Sequence, residues 1–340
     1  MNDDEYAPAR WLPGPHGQTL WGRFFRPLPR LRLRHERWET PDSDIVDVYR
    51  LVGDGDAPHL LLLHGLEGGL HSHYARGMLA EAQRRSWHAT LLIFRSCGPE
   101  LNLLPRFYHS GDTMDARMAL EWILREEPDR LVVMAGVSLG GNVLLRLLAE
   151  EGADAPARLV GAAAISVPFD LARSAQHIQR GFARVYQRHF VRSLKRKALA
   201  KLKLFEGHFN RDAISRAVTL YDFDDTVTAP LHGFAGAEDY YTRSSSLPVL
   251  DHIRTPTILV SAEDDPFLPP DVLEEVRAVA RENSHLEIVF VPKGGHAGFV
   301  SGMPWRQMYW AELRAFEFLA ARVAERRPIT PMSTVSGGAA

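Results

Sequence analysis

The sequence predicts an α/β fold, a mostly parallel sheet with helices on both faces. Three features lead there. Short, near-continuous apolar runs recur along the chain, amphipathic helical periodicity fills the gaps between them, and one internal segment breaks the alternation. Strands covered by helices on both sides read as unbroken apolar runs, because neither face meets water.

In chain order, residues 1–30 read as an arm. Trp11–Pro29 is rich in Pro, Gly and aromatics and suggests an irregular segment packed on the main domain. Leu31–Glu39 and Asp44–Leu51 alternate in part and flank Pro41-Asp42-Ser43, so a hairpin at a sheet edge is expected. Strands then follow at His59–His64, Ala89–Phe94, Leu131–Val137, Leu159–Ile165, Thr257–Ser261 and Leu286–Val291. Helical periodicity spans Ser72–Arg85, Thr113–Arg125, Asn142–Glu151, Asp271–Arg281 and Trp305–Ala324.

The alternation fails across 168–250, which has no good strand and opens with a long helical stretch, Leu171–Leu204. An insertion after a central strand lies over the carboxyl ends of the strands, where ligands bind. We therefore expect a helical cap at 168–250 above a core made of 31–167 and 251–326. The tail 327–340 is turn-forming and low in hydrophobicity, so disorder is expected there.

Composition narrows the function. With 340 residues and 45% hydrophobic content, the chain can bury a substantial core. A formal net charge of −2 gives no electrostatic reason to expect nucleic acid as a partner. The single cysteine, Cys97, rules out an intrachain disulfide and fits a reducing compartment. Met1–Arg10 is acidic and polar, unlike a signal peptide, and no stretch is long and apolar enough for a spanning helix. A cytoplasmic location is the expectation.

The chemistry is concentrated in Leu131–Asn142, LVVMAGVSLGGN. An apolar strand reaches Gly136-Val137-Ser138-Leu139-Gly140 and passes directly into a helical pattern, the context of a G-x-S-x-G nucleophile elbow. Ser138 must sit on a strained turn, and the flanking glycines let strand and helix backbones pass close to it. A serine hydroxyl needs a base to take its proton. Histidine suits the role with an unperturbed pKa near 6.5, and a carboxylate must hold its ring.

On such a turn the chain order is Ser, acid, His. His296 lies in Pro292-Lys293-Gly294-Gly295-His296-Ala297-Gly298, after the last strand and before the closing helix. Its nearest rivals among 15 histidines, His252 and His285, precede strands and sit at the wrong end of a parallel sheet. Glu263-Asp264-Asp265 follows the preceding strand and leaves the choice of acid open. Two backbone N–H donors are expected for the oxyanion, from Leu139 and from Leu66 in the loop His64–Gly69. No cofactor or metal is expected: His64, His71 and His73 lack H-E-x-x-H or cysteine partners, and no P-loop or G-x-G-x-x-G follows a strand.

Further segments carry a resemblance. They are Pro15–Thr19, His64–Gly69, Phe94–Gly98 with Asn102, Arg106–Gly111, Gly136–Asn142, Phe223–Thr226 with Gly233-Phe234 and Tyr240-Tyr241, Asp264–Phe267 and Gly294–Phe299. In these the chain resembles the YheT-like branch of the α/β-hydrolases, over nearly its whole length. The resemblance implies the α/β-hydrolase fold and hydrolysis of carboxylic esters, on short or medium acyl chains or, in some animal members, phospholipids. It also favours Asp265 as the orienting acid, since Asp265 precedes Pro266-Phe267-Leu268-Pro269 as the family's acid precedes its turn. Gly17 stands where relatives carry a larger apolar residue, and Ser96 where many have Gly. For Tyr108 and His109, anchoring of their loop is favoured over substrate contact.

The expected function is a serine esterase or lipase acting through an acyl-enzyme on Ser138, with a small-molecule ester or lipid as partner. The alternatives are an acyltransferase using the same acyl-enzyme and a non-catalytic binding module. The stretch Arg180, Arg184, Arg188, Arg192, Arg196, Lys197, Lys201 and Lys203 reads as a solvated cap face. Peripheral docking on anionic lipid is the sharper alternative.

Overall fold

The computed structural model describes residues 6–205, 207 and 210–326; the tail for which disorder was expected, 327–340, lies outside them. The chain begins with α1 (Pro15–Phe25), then a hairpin of β1 (Leu33–Glu39) and β2 (Ile45–Leu51). Strand and helix then alternate through β3 (His59–Leu63), α2 (His73–Arg84), β4 (His88–Ile93), α3 (Met114–Glu126), β5 (Val132–Val137), α4 (Leu139–Glu151) and β6 (Leu159–Ile165). The next helices are α5 (Leu171–His177), α6 (Ala183–Leu202), α7 (Arg211–Arg216), α8 (Leu220–Phe223), α9 (Ala229–Leu231) and α10 (Ala237–Ser244). The chain returns to the sheet with β7 (Thr257–Ala262), α11 (Asp271–Glu282) and β8 (Leu286–Val291). A small hairpin of β9 (Val300–Met303) and β10 (Arg306–Tyr309) leads into α12 (Trp310–Arg326).

The main sheet runs β1-β2-β4-β3-β5-β6-β7-β8. From β4 to β8 every neighbouring pair is parallel, whereas β1 and β2 add antiparallel pairings at one edge. Side-chain alternation divides the core in two. Leu61 and Leu63 point into the layer holding α3, α4 and α11. Leu60 and Leu62 point the other way, into the layer holding α2 and α12. All four are fully buried, as a sheet covered on both faces requires.

Three sequence-based expectations are corrected. Within the arm, Pro15–Phe25 is helical rather than irregular. Pro15 occupies the first turn, where a missing N–H costs no hydrogen bond. The stretch Leu171–Leu204 is broken into α5 and α6 by the turn 178–182, in which Gly181 takes a φ of +50°. The helix expected from Trp305 starts at Trp310. Gly302 (φ +79°) and the two-residue Pro304-Trp305 turn instead fold Val300–Tyr309 into a hairpin, with Met303 opposite Arg306.

Candidate active site

Ser138 sits between β5 and α4 at φ 56° and ψ −124°, a conformation costly for any residue but glycine. The crowding explains both flanking glycines. A Cβ on Gly136 would lie 2.4 Å from Gly140 O, and one on Gly140 would lie 2.4 Å from His64 O. The turn is held from outside by Ser138 N–H donating to Ile165 O at 2.8 Å.

The three residues singled out for the chemistry come together at the carboxyl ends of β5, β7 and β8. His296 Nε2 lies 2.9 Å from Ser138 Oγ, and His296 Nδ1 lies 2.8 Å from Asp265 Oδ2. Because a carboxylate only accepts, the proton of neutral His296 sits on Nδ1, which leaves Nε2 to accept from the serine hydroxyl. Asp265 is buried, and its Oδ1 accepts from Phe267 N–H at 2.8 Å. The Phe267 ring stacks on the imidazole with centroids 4.1 Å apart.

Asp264 and Asp265 differ in partner. Asp264 Oδ1 accepts from the backbone N–H groups of Gly294 and Gly295, at 2.8 and 2.9 Å. It therefore pins the loop that carries His296, while Asp265 addresses the ring. His252 and His285 both precede strands, at the opposite end of the sheet from Ser138.

The histidine loop has a second clamp that sequence reasoning missed. From α1, Thr19 Oγ1 accepts the His296 backbone N–H at 2.9 Å. Gln18 brackets Val300, with Nε2 donating to its carbonyl at 3.2 Å and Oε1 accepting its N–H at 2.6 Å. The Pro15–Thr19 motif was visible, but its helix was not, so its partner 277 residues away could not be named.

Leu66 and Leu139 line the same pocket as Ser138 and His296. The amide of Leu139 opens α4, where first-turn N–H groups lack intrahelical partners. The Leu66 loop is held through its neighbour Glu67, at φ 53°. Glu67 N–H donates to the Tyr108 hydroxyl at 2.8 Å, and the buried Glu67 carboxylate accepts from that hydroxyl at 3.0 Å and from Lys197 Nζ at 2.7 Å. Tyr108 thus anchors its loop and also lines the pocket. His109 does both as well, packing edge-on against His232, Phe234 and Tyr240.

The two departures from the family pattern have local explanations. Ser96 adopts φ 62°, glycine's usual territory, and its hydroxyl donates to Asn102 Oδ1 at 2.5 Å. At Gly17 a Cβ would approach Leu12 Cδ1 at 3.2 Å, so a larger residue needs a shift there. The cationic stretch also divides. Arg184, Arg188, Arg192 and Arg196 are exposed on α6, but Lys197 turns inward to Glu67 and Lys201 is fully buried, its Nζ donating to Leu104 O and Arg106 O.

The pocket beside Ser138 measures about 930 Å³ including its open mouth. Its floor comes from the strand-end loops and its roof from the inserted helices, through Leu171, Ile178, Phe190, Leu194, Leu220 and Phe223. Among the described residues no group of three or more His, Cys, Asp or Glu side chains is gathered as a metal site. His64 serves structure instead: its Nε2 accepts Phe94 N–H at 3.0 Å and its Nδ1 donates to Gly65 O at 2.8 Å. Burial pushes its pKa down to about 3, keeping it neutral. No helix among the described residues is long and apolar enough to cross a membrane.

Comparison with known proteins places these features in a family. A family model described as alpha/beta hydrolase fold matches residues 58–302. The chain is 37% identical over 320 residues to the Escherichia coli K12 protein named "Putative esterase YheT", covering 93% of each. It is 29% identical to a Saccharomyces cerevisiae monoacylglycerol lipase over 83% of this chain and 63% of that protein. It is 25% identical to human phospholipase ABHD3 over 94% of this chain and 80% of the relative. Among solved structures, a Pyrococcus furiosus esterase superposes with a TM-score of 0.58 at 16% identity, covering 86% of this chain and 91% of its own. The chain belongs to the alpha/beta hydrolase family, on the branch that contains YheT.

Proposed function

We propose that this protein is a serine hydrolase that cleaves carboxylic esters of short or medium acyl chain, or lipid-like esters, through an acyl-enzyme on Ser138. The observation that carries this is the relay of two hydrogen bonds, 2.9 Å from Ser138 Oγ to His296 Nε2 and 2.8 Å from His296 Nδ1 to Asp265 Oδ2. Its relatives named esterase, lipase and phospholipase point to the same bond type.

In the proposed reaction Ser138 Oγ attacks the ester carbonyl carbon while its proton passes to His296 Nε2. Asp265 stays ionised and stabilises the imidazolium. The carbonyl oxygen, now an oxyanion, accepts from the Leu66 and Leu139 N–H groups. Collapse breaks the carbon–oxygen bond to the alcohol, which leaves with the proton from Nε2. Water then repeats the sequence on the acyl-enzyme, releasing the acid and restoring the serine. The apolar lining suits an acyl chain, since burying a methylene gains about 0.8 kcal/mol.

The test is covalent labelling by a fluorophosphonate, together with hydrolysis of p-nitrophenyl butyrate. Ser138→Ala should abolish labelling and lower kcat by about 10⁶-fold with an unchanged Tm. Wild-type protein that neither labels nor hydrolyses any ester of the series would end the proposal. Products analysed with added alcohols separate hydrolysis from acyl transfer.

A further inference from the structure

The roof of the pocket is mostly apolar, with Ser174, Tyr240 and the group around Asp224 as its polar members. Asp224 is the only acid among the described residues that line it. It begins a π-helical turn, Asp224–Thr228, closed by Ala229 N–H donating to Asp224 O. Such turns are rare and often sit at functional sites. Here the turn sets the Thr228 hydroxyl to donate to Asp224 Oδ1 at 2.7 Å. Tyr241, from α10, donates to Oδ2 at 2.8 Å.

A carboxylate offers about four acceptor positions. Two are taken by these neutral hydroxyls, and among the described residues no cation and no further donor reaches the group. Asp224 is only partly exposed, and it lines the cavity. That burial pushes its carboxyl up to about 6, and the two hydroxyl bonds only partly oppose the shift. Asp224 has no bond to Ser138, His296 or Asp265, so it stands apart from the hydrogen-bonded relay.

A plain alkyl chain lying against this wall strips water from the remaining acceptor positions and returns nothing. A buried polar group left unpaired is costly, so such a site disfavours ligands without a matching donor. Holding Thr228 and Tyr241 in place does not by itself require an acid that opens into the pocket.

We infer that Asp224, framed by Thr228 and Tyr241, is a subsite for a hydroxyl group carried by the ester substrate away from the scissile bond. The substrates favoured are hydroxylated esters, either hydroxyacyl chains or partial esters of a polyol. The inference rests on the ester-hydrolase reading of the same pocket and deepens it.

Matched esters test it. One arm compares plain with ω-hydroxylated acyl chains of equal heavy-atom count on one leaving group. The other compares propyl with 2,3-dihydroxypropyl esters of one acid. The wild type should favour the hydroxylated member by about tenfold or more in kcat/KM in at least one pair. Asp224→Leu should collapse that ratio to unity or below, raising the plain ester and lowering the hydroxylated one. Asp224→Asn should fall between. Ratios near unity in every wild-type pair overturn the subsite, as does a preference that survives Asp224→Leu in a protein of unchanged Tm. Should Asp224→Leu fail to fold, the wild-type ratios and Asp224→Asn decide alone. A trimethylammonium ester of matched length is a third arm, and preference for it over the hydroxyl would replace this assignment with a cation site. Hydrolysis of every ester without discrimination sinks only the subsite, whereas absence of both hydrolysis and fluorophosphonate labelling sinks the esterase reading beneath it.

Discussion

The two walls of the pocket are built on different principles. On the core wall Ser138, Asp265 and His296 follow the ends of three parallel strands of one sheet, β5, β7 and β8, and the histidine loop is clamped through its backbone N–H groups, which donate to Asp264 Oδ1 and Thr19 Oγ1. On the inserted side Asp224 and Tyr241 line the pocket from separate segments and Lys197 of α6 reaches Glu67, and side-chain contacts with one another or with the core hold all three. Position on the core wall follows from strand order, which a periodic sequence announces. Position on the inserted wall follows from packing, which it does not. The first wall is suited to fixed chemistry and the second to substrate choice.

The largest expected contrast lies within the core wall. Asp265→Asn should leave the fold in place but lower kcat by about 10⁴-fold, because the imidazole loses the partner that holds its tautomer. Asp264→Ala should act in the opposite proportion. It unpairs the Gly294 and Gly295 amides and should cost about 2–4 kcal/mol of stability, with a smaller loss of rate. Steady-state kinetics beside chemical denaturation measure both, and equal kinetic losses would erase the division of labour drawn between these neighbours.

A smaller effect joins the walls. Lys197→Met removes the cation from the buried Glu67 carboxylate and loosens the Leu66 loop from α6. It should cost about 2 kcal/mol and reduce kcat/KM several-fold. No change in either would show that the inserted helices do not support the Leu66 loop.

The last effect bears on stability alone and is a pH dependence. Burial depresses His64 and His73 to about 3, so each stays neutral in the folded protein. The unfolded chain takes up these protons near pH 6.5, so stability is full above that value and falls as pH drops toward 3. At pH 5 each contributes a loss of up to about 2 kcal/mol. Denaturation at pH 7, 6 and 5 measures it, and a flat profile would mean these imidazoles are less enclosed than their packing indicates.

The amino-acid sequence by itself determined the succession of strands in the main sheet and the helices that cover it, the elbow around Ser138 and the loop that carries His296. Apolar runs of strand length and glycines at crowded turns are local signals, and a parallel sheet converts their order into position. The separate tasks of Asp264 and Asp265, the grip of α1 on the histidine loop and the inward turn of Lys197 were decided only in the folded molecule. So was the carboxylate of Asp224 opening into an apolar pocket. Each depends on which distant atoms share a space, and neither spacing nor periodicity along a chain encodes that.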